Sequence, residues 1–381
     1  MTKTLIPRIP PTQTVVRMMR RPVGPVVPGV DLVPSTEPTP DPAQLQPDEV
    51  LLHRLYLSLD PAMRGWMRDI PSYIPPVKVG AVMRGGTVCE VVHSRHEQFQ
   101  TGDLVLDNSM KEGWNEFAVI AGKYCRKLPP LGHHQTISMT SYLSVLGITG
   151  LTAYFGLLQV GKPKAGETVL VSAAAGATGS VVCQIAKHVV GCKVVGIAGG
   201  RDKCRWLLEE AGCDAAIDYK LAQNPSQFQK QLRDALKKVS SRGVDVFFDN
   251  VGGYILNETL RRLNVKGRVV VCGAISAYNE DPRSTNIVAP TNYTALIPLR
   301  AKMEGFIVTD YAKQFKEARK NLAQWIEEGK LTFKEDIREG LERAPEHLQA
   351  LFSGGNTGKL IVKIGDPITQ HTTTGPALSK L

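Results

Sequence analysis

The 381-residue sequence predicts an α/β protein in which a domain of short strands is joined to a domain built on a doubly wound parallel sheet. Short apolar runs separated by glycine occupy much of the first 145 residues, a pattern typical of a small β-barrel. From about residue 165 the pattern changes to strands that alternate with helices. After residue 330 short strand patterns return, which predicts that the end of the chain completes the first domain.

The first domain begins with extended segments. Proline is frequent over residues 1–45, which predicts strands and turns in this part of the chain. Apolar runs over 50–60, 87–94, 103–108 and 114–122 predict the strands that follow. Glycine punctuates these runs, so each strand is expected to be short.

An uncharged stretch over residues 135–161 separates the two patterns. Its length could suggest a membrane span, but serine, threonine and glutamine residues interrupt it, and Gly147 and Gly150 lie near its middle. A spanning helix is more apolar than this. The stretch therefore predicts buried helical segments at the junction of two domains.

The second domain is predicted as six strands that alternate with helices. The strands are expected over 167–173, 193–199, 215–219, 244–251, 268–276 and 303–310, and the helices over 179–190, 202–212, 227–239, 254–263 and 311–329. Such an alternation is typical of a doubly wound parallel sheet, in which ligands bind outside the carboxyl ends of the strands.

The loop after the first of these strands is rich in small residues. It contains Ala174-x-Gly176-x-x-Gly179, which matches the dinucleotide fingerprint G-x-G-x-x-G except that alanine replaces the first glycine. A helix that begins near Ala177 would offer free N–H groups to a pyrophosphate. Small residues could also serve only close packing of the helix on the strand. The position of the loop on the first turn of the sheet favours the cofactor interpretation.

The end of the second strand indicates which dinucleotide is bound. An NAD site has an Asp or Glu there for the ribose hydroxyls, but this sequence has Gly199, Gly200 and Arg201. Arg201 and Lys203 can supply positive charge, and Tyr219 at the end of the third strand can supply a hydroxyl. NADP is therefore favoured, although Arg201 and Lys203 could be no more than solvated helix residues.

Composition and charge exclude some other classes. The formal net charge is +10, but Lys and Arg are spread along the chain, which favours a solvated positive surface over a nucleic-acid site. The seven cysteines include no C-x-x-C pair, which argues against a disulfide framework and a structural zinc. The eight histidines pair with no cysteine or carboxylate at ligand spacing, so we expect no metal.

Several longer motifs point to one family. They are YLSLDPAMRGWM (56–67), VMRGG (82–86), GLTAYFGLLQVGKPKAGETVLVSAAAGATGS (150–180), FDNVGG (248–253), CGAISAYN (272–279), MEGFIV (303–308) and NTGKLIVKIG (356–365). With these motifs the sequence resembles the zinc-independent medium-chain dehydrogenases/reductases, specifically the NADP-dependent alkenal and enone reductases such as the prostaglandin (leukotriene B4 12-hydroxydehydrogenase-like), plant double-bond and curcumin reductases.

The resemblance implies how the domains are divided. A GroES-like β-barrel catalytic domain would span residues 1–145 and be completed by 330–368, and a Rossmann NADP-binding domain would span 146–329. A homodimer and a cleft for NADP(H) between the domains are also implied. The family pattern differs at Ala62 and Trp66, where relatives have tyrosine and arginine, so the substrate pocket is expected to differ in shape.

The resemblance also implies site residues. The pyrophosphate would meet Gly176, Ala177, Thr178 and Gly179, and the adenosine phosphate would meet Lys203 and Tyr219. The rest of the cofactor groove would be lined by Asn250, Cys272, Tyr278, Phe306, Ile307, Val308 and Asn356. Tyr56 and Tyr73 resemble residues of the substrate pocket, although both could be core aromatics.

Without a metal, reduction needs a hydride donor and a group that polarises a carbonyl. NADPH can deliver hydride to the β-carbon of an enone or enal, and a tyrosine hydroxyl suits the developing enolate oxygen. We expect Tyr278 to be that donor or to anchor the nicotinamide ribose, unless it only packs against the barrel. The proton for the α-carbon can come from water.

Other functions remain compatible with the sequence. The same site could oxidise an alcohol or reduce a quinone, with a small lipophilic metabolite as the substrate. A protein of another class, a non-catalytic NADPH-binding module, would be supported only by the net charge of +10. Turnover of NADPH with a panel of alkenals, enones and quinones distinguishes these functions.

The residues 369–381 are expected to form a flexible tail, and Ser379-Lys380-Leu381 matches the peroxisomal S-K-L address. Binding by the peroxisomal import receptor is therefore expected, with the cytosol as the alternative location. No nucleic-acid partner and no membrane span are expected.

Overall fold

The computed structural model describes residues 9–129, 137–281 and 288–369, so the proposed peroxisomal signal at Ser379-Lys380-Leu381 lies outside the described residues. The strands are β1 Thr12–Met18, β2 Leu32–Pro38, β3 Glu49–Ser58, β4 Thr87–Ser94, β5 Leu104–Asp107, β6 Phe117–Ala121, β7 Cys125–Lys127, β8 Thr168–Val171, β9 Lys193–Ala198, β10 Ala215–Asp218, β11 Val244–Asp249, β12 Leu263–Val271, β13 Lys302–Gly305, β14 Glu335–Glu339 and β15 Lys359–Lys363. The α-helices are α1 Met63–Trp66, α2 Ile148–Phe155, α3 Ala177–Gln184, α4 Arg201–Glu209, α5 Pro225–Lys238, α6 Gly253–Leu260, α7 Leu296–Leu299, α8 Phe315–Glu327 and α9 Ala344–Ser353.

The second domain contains a six-stranded parallel sheet in the order β10-β9-β8-β11-β12-β13. Successive residues of its central strand β8 serve opposite faces, because side chains alternate along a strand. Val169 and Val171 pack in one buried cluster and Leu170 packs in another. Helices cover both faces, so the predicted doubly wound α/β architecture is confirmed.

The first domain is built on a seven-stranded sheet in the order β14-β15-β3-β4-β5-β7, with β6 also paired to β3. The strand β15 runs antiparallel to β3, so the end of the chain adds to a sheet that begins near residue 49. The strands β1 and β2 form a separate antiparallel pair.

One unit of the first domain escapes the sequence pattern. The strand β14 pairs in parallel with β15, and α9 makes the connection between them. The residues of β14 read Glu-Asp-Ile-Arg-Glu and are at least partly exposed, as suits the edge of a sheet. Such a strand lacks the apolar alternation by which a buried strand is recognised.

The uncharged stretch between the domains forms buried helical structure, as predicted. The helix α2 buries Leu151 and Phe155, and it packs against α3 and α8. Within the part of the chain that the structure describes, no helix combines the length and the apolar character needed to cross a membrane. The stretch therefore connects the domains and contributes to the larger core of the parallel sheet.

Candidate functional site

A cleft of about 1120 Å³ lies at the carboxyl ends of the parallel strands. One wall comes from the segments that follow β8, β9, β11, β12 and β13, and the other comes from α1 and the segment that follows β5. Ligand sites of doubly wound sheets lie at this edge, and domain junctions commonly form such cavities. The cleft is therefore the candidate active site.

The structure brings most of the sequence-predicted site residues into this one cleft. The predicted residues that line it are Gly176, Ala177, Thr178, Gly179, Lys203, Tyr219, Asn250, Cys272, Tyr278, Phe306, Ile307, Val308, Asn356 and Tyr73. Ala62 and Trp66 also line it, so the two departures from the family pattern do face the cleft.

Tyr56 has no place among the residues that line the cleft, which corrects its prediction as a pocket residue. It lies opposite Lys363 of β15, and its ring packs half-buried against a core cluster that includes Leu55 and Ile361. The physical reason is its position along β3. Ser58, two residues later at the end of the strand, is the residue that reaches the cleft.

The glycine loop has two glycines with different tasks. A Cβ on Gly179 would lie well under 3.0 Å from the carbonyl oxygen of Ala173, so this glycine permits close packing of α3 on the loop. A Cβ on Gly176 would lie 3.2 Å from the same oxygen, and Gly176 precedes α3 in an extended conformation that other residues can adopt. Gly176 leaves bare backbone facing the cleft, which suits the close approach of a pyrophosphate.

The tight turn of the loop is made one residue earlier than the fingerprint suggests. Ala173 has a φ of 47°, in the left-handed region, whereas the G-x-G-x-x-G fingerprint has its first glycine at the position of Ala174. The helix α3 then begins at Ala177, and the first N–H groups of a helix have no partner within it. These groups and the positive end of the helix dipole would hold the pyrophosphate.

The cation expected at the adenosine end is present. Lys203 is half-buried, its Nζ donates a hydrogen bond to the carbonyl of Gly354 at 2.9 Å, and burial lowers its pKa. The ring of Tyr219 packs on Gly199, where a Cβ would lie 2.8 Å from it. This absence of a side chain opens the space in which a 2′-phosphate would meet Lys203 and Tyr219.

Sequence reasoning missed two neighbours of this end. Lys220 is exposed, and its Cε would lie 3.0 Å from a Cβ at Gly199, so a second ammonium group is within reach. Asp218 accepts hydrogen bonds from the N–H of Gly200 at 2.9 Å and of Lys220 at 3.0 Å. The carboxylate at this site is therefore that of Asp218, which ends the third strand and binds two backbone amides. The dinucleotide fingerprint expects a carboxylate at the end of the second strand.

A buried network fixes the middle of the cleft. The hydroxyl of Ser172 donates to Asp249 at 2.7 Å and accepts from the N–H of Asn250 at 2.8 Å. The side-chain amide of Asn250 donates to the carbonyl of Ser172 at 2.7 Å. Burial raises the pKa of Asp249, which also accepts from backbone N–H groups of Val251 and Gly252. Asn250 is thus held at the cleft by two neighbouring strand ends.

Tyr278 lies in the loop that follows β12, half-buried at the cleft. Its hydroxyl oxygen accepts a hydrogen bond from the N–H of Ala274 at 3.2 Å. Burial raises its pKa, so the hydroxyl keeps its proton at neutral pH. Because the oxygen already accepts from Ala274, the O–H is left to donate to another group in the cleft.

Arg68 of the first domain holds the loop of Tyr278. Its Nη2 donates to the backbone carbonyls of Ala277, Tyr278 and Glu280 at 3.1, 2.8 and 2.6 Å. Sequence reasoning missed this contact, which joins residues 210 positions apart along the chain. The only sequence signal is that Arg68 follows directly on the family motif of residues 56–67.

The wall opposite the glycine loop is aromatic. Trp66 is buried, and its indole Nε1 donates to the hydroxyl of Tyr73 at 3.2 Å. Tyr73 is 59% exposed, so the family-implied pocket residue lies at the mouth of the cleft. A wall of this kind suits an apolar substrate with few polar groups.

The donor set of the described residues does not suit a metal. They contain no group of three or more His, Cys, Asp or Glu side chains that could hold an ion. Burial raises the pKa of the Cys272 thiol in the cleft to about 12, so the thiol is protonated at neutral pH and is a poor nucleophile. The glycine loop, Lys203 and the absence of a side chain at Gly199 fit NADPH instead.

Comparisons with known proteins agree with this site. Residues 15–145 match the family model described as the N-terminal domain of oxidoreductase, and residues 177–327 match the one described as zinc-binding dehydrogenase. Over 342 residues the chain is 40% identical to the NADPH-dependent curcumin reductase of Escherichia coli (strain K12), which covers 87% of this chain and 94% of that protein.

Two further proteins are similar over most of their length. The 2-alkenal reductase (NADP(+)-dependent) of Nicotiana tabacum is 39% identical over 318 residues, or 83% of this chain and 88% of that protein. The crystal structure of CurA in complex with NADPH from Vibrio vulnificus has a TM-score of 0.82 at 38% identity and covers 93% of this chain and 100% of that chain. The chain is an NADPH-dependent oxidoreductase that belongs to the zinc-independent medium-chain dehydrogenase/reductase family, among its double-bond reductases.

Proposed function

We propose that the protein reduces the carbon–carbon double bond of α,β-unsaturated ketones and aldehydes, with hydride transfer to the β-carbon. The observation that carries this proposal is Tyr278, which lines the cleft, keeps its hydroxyl protonated and accepts a hydrogen bond at that hydroxyl from the N–H of Ala274. Curcumin and 2-alkenals, in the names of two relatives, are compounds of this class.

The hydroxyl of Tyr278 would bind the carbonyl oxygen of the substrate. As the β-carbon accepts a hydride, negative charge develops on that oxygen, and a positioned donor stabilises it more than it stabilises the neutral carbonyl. When bound, NADPH supplies this hydride. The Tyr278 oxygen already accepts from the N–H of Ala274, which orients the O–H before the substrate arrives.

The α-carbon would take its proton from water. Tyr278 keeps its own proton because burial raises its pKa, so we assign it hydrogen bonding and not proton transfer. Tyr73, at the open mouth of the cleft, is 59% exposed, so solvent has access on that side. The product is the saturated ketone or aldehyde, in which both new hydrogens are bound to carbon.

The cleft also indicates the kind of substrate. Trp66, Leu143, Ile148 and Phe306 give it apolar walls, which suits an aliphatic or aromatic enone. We propose a role in the detoxification of reactive unsaturated carbonyls or in the tailoring of a biosynthetic intermediate.

The reaction is tested with purified protein, NADPH and matched panels of enals, enones and quinones, and separately with NADP+ and saturated alcohols. Both assays are followed at the absorbance band of the reduced cofactor. Gas chromatography of the products separates a saturated aldehyde from an allylic alcohol. NADPH that carries deuterium at its transferable position should place the label on the β-carbon. Formation of allylic alcohol, or turnover of quinones alone, would contradict the proposal.

The role of Tyr278 is tested by Tyr278→Phe. We expect kcat/KM for an enone to fall by about a hundredfold, because one donor to the developing oxyanion is lost. The affinity for NADPH, measured by fluorescence titration, should change by less than about threefold. The matched control is Tyr293→Phe, which removes a hydroxyl from a residue that is 58% exposed and outside the cleft lining. Equal losses of turnover and cofactor affinity would instead indicate a ribose anchor.

A further inference from the structure

Two arginines lie close together in the wall of the cleft. Arg126 belongs to β7 and Arg319 to α8, and both line the cleft half-buried. The guanidinium of Arg126 lies over the ring of Tyr142, 5.2 Å from its centroid. The guanidinium of Arg319 lies over Phe315 at 5.4 Å. Each charge therefore rests on an aromatic face at the cavity wall.

Neither arginine has a carboxylate partner among the described residues. Arg319 donates from Nε to the backbone carbonyl of Leu146 at 3.0 Å, and Arg126 has no acceptor for Nε or Nη2 in the same part of the chain. Burial, and next the charge of Arg126, lower the pKa of Arg319 to about 10. Two like charges that are partly buried without a counter-ion are unfavourable, and an anion between them would remove the penalty.

The neighbouring charges do not neutralise this pair. Lys313 and Lys316 line the same end of the cleft and add positive charge. Glu335 is committed elsewhere, because it accepts hydrogen bonds from the hydroxyls of Thr140 and Ser144. The described part of this end of the cleft is therefore basic, although the rest of the cleft wall is largely apolar.

The phosphates of NADPH would be bound elsewhere along the sheet. Lys203 donates to the carbonyl of Gly354, whereas Arg319 donates to the carbonyl of Leu146 and the guanidinium of Arg126 lies over Tyr142. Phe306, Ile307 and Val308, which follow β13, also line the cleft. The arginine pair therefore contacts other segments than the glycine loop and Lys203, which would hold the phosphates.

We propose that Arg126 and Arg319 bind a carboxylate at the far end of the substrate, so that the preferred substrates are enones or enals that also carry a carboxylate. This proposal rests on the proposed function. Planar guanidinium groups match the two oxygens of a carboxylate, and the apolar walls at Leu143 and Ile148 suit an aliphatic chain between the carboxylate and the enone.

Three substrates of equal chain length test the proposal in the unmodified protein. They are an α,β-unsaturated aldehyde with a terminal carboxylate, its methyl ester, and the aldehyde with no terminal group. We expect kcat/KM for the acid to exceed that for the ester by at least about tenfold, mainly through KM, because a carboxylate at a guanidinium forms charge-assisted hydrogen bonds. Added salt should reduce this ratio.

Substitutions then locate the preference. In Arg126→Gln and Arg319→Gln the ratio of acid to ester should fall by about tenfold, and Arg126→Lys should keep part of it. The control is Arg233→Gln, which removes an equal charge from an exposed residue of α5 outside the cleft lining. If Arg233→Gln lowers the ratio of acid to ester as much as Arg126→Gln and Arg319→Gln do, the proposal is overturned.

Each outcome separates this inference from the function on which it rests. If no substrate of the three is reduced, the proposed function fails. If the ester and the unsubstituted aldehyde are reduced as efficiently as the acid, the carboxylate site fails while the reductase function stands. Competition by adipate against the acid at fixed ionic strength supports a carboxylate site. Competition by inorganic phosphate without competition by adipate overturns the assignment in favour of a phosphate.

Discussion

Arg68 links the two domains through one nitrogen of its guanidinium group. It belongs to the first domain, and its Nη2 donates to three carbonyls of the loop that carries Tyr278 in the second. A catalytic hydroxyl acts only if it is held close to its productive position. We therefore regard Arg68 as a positioning residue, which acts on the substrate through Tyr278.

The substitution Arg68→Ala should lower kcat by about ten- to hundredfold, because small displacements of a positioned group are costly. KM should change less, and Arg68→Lys should restore part of kcat. In a Tyr278→Phe background the same change should have a much smaller effect, since the group that Arg68 positions is already lost. Equal effects in both backgrounds would show that Arg68 is only structural. Arg205→Ala, at an exposed ion pair with Asp202, is the control.

His53 gives the stability of the first domain a dependence on pH. It is 7% exposed, its ring stacks on Phe117 at 4.7 Å, and its Nδ1 has no hydrogen-bond partner among the described residues. Burial lowers its pKa from 6.5 to about 4. The folded protein therefore holds a neutral imidazole at a pH at which the unfolded chain already binds a proton.

The contribution of His53 to stability is present above pH 6.5 and is lost as the pH falls toward 4. The loss should be about 3 kcal/mol in the free energy of unfolding. Urea unfolding of the protein and of His53→Phe across this range measures it, and the substituted protein should lack this part of the pH dependence. His93→Phe, at an exposed histidine of β4, should keep it. Parallel curves for the protein and His53→Phe would contradict the prediction.

At the scale of an element, the loop and helix after β8 assign helix packing and phosphate binding to different glycines of one sequence motif. Gly179 allows α3 to approach the carbonyl of Ala173, and Gly176 leaves backbone open to the cleft. Ala173 adopts the left-handed conformation of the turn, at a cost that a glycine would not have. The small residues of the loop therefore serve both helix packing and phosphate binding, at different positions.

The substitution Gly179→Ala should mainly affect stability, and Gly176→Ala should mainly affect NADPH binding. Gly179→Ala should lower the free energy of unfolding by about 2 kcal/mol or more, because its Cβ would overlap backbone. Gly176→Ala should change stability by no more than about 1 kcal/mol but weaken NADPH binding by at least about tenfold. Urea unfolding and NADPH titration measure the two effects. Gly65→Ala, where a Cβ meets nothing within 4 Å, is the control. A weak effect of Gly176→Ala on NADPH affinity would argue against the phosphate site.

At the scale of the whole molecule, the last described segment, residues 358–369, is bound to both domains. Gly358 forms a bridge with Gly176 of the glycine loop, and the strand β15 joins the sheet of the first domain. Glu90, which is buried in β4, accepts hydrogen bonds from the N–H of Ile368 at 2.8 Å and of Thr369 at 3.1 Å. The last described residues are therefore fixed to the barrel immediately before the proposed targeting tail.

Peroxisomal import through Ser379-Lys380-Leu381 stays a prediction of the sequence. A fluorescent fusion at the N-terminus should give a punctate signal that coincides with a peroxisomal marker. Deletion of Leu381 should disperse the signal through the cytosol, because the import receptor reads the terminal tripeptide. Unchanged puncta would refute the prediction. The homodimer that the family resemblance implies also stays a prediction, and light scattering on the purified protein measures it.

The sequence by itself determined the alternating strands and helices, the glycine loop and the preference for NADPH, because these depend on local patterns. Apolar periodicity indicates a strand or helix within one segment. The absence of an acid at Gly199 and Gly200, which favours NADPH, is visible in two adjacent residues. The same patterns predict that residues after 330 return to the first domain, and β15 pairs with β3 in the sheet of that domain.

Only the tertiary structure decided which distant residues share the cleft. Arg68 contacts the loop of Tyr278 across 210 positions, and the charges of Arg126 and Arg319, from β7 and α8, interact in the wall of the cleft. Tyr56, which the motif alone placed in the pocket, lies outside it because the strand reaches the cleft only at Ser58. Contacts of this kind arise when whole elements pack together, and packing between distant segments leaves no periodic trace in the sequence.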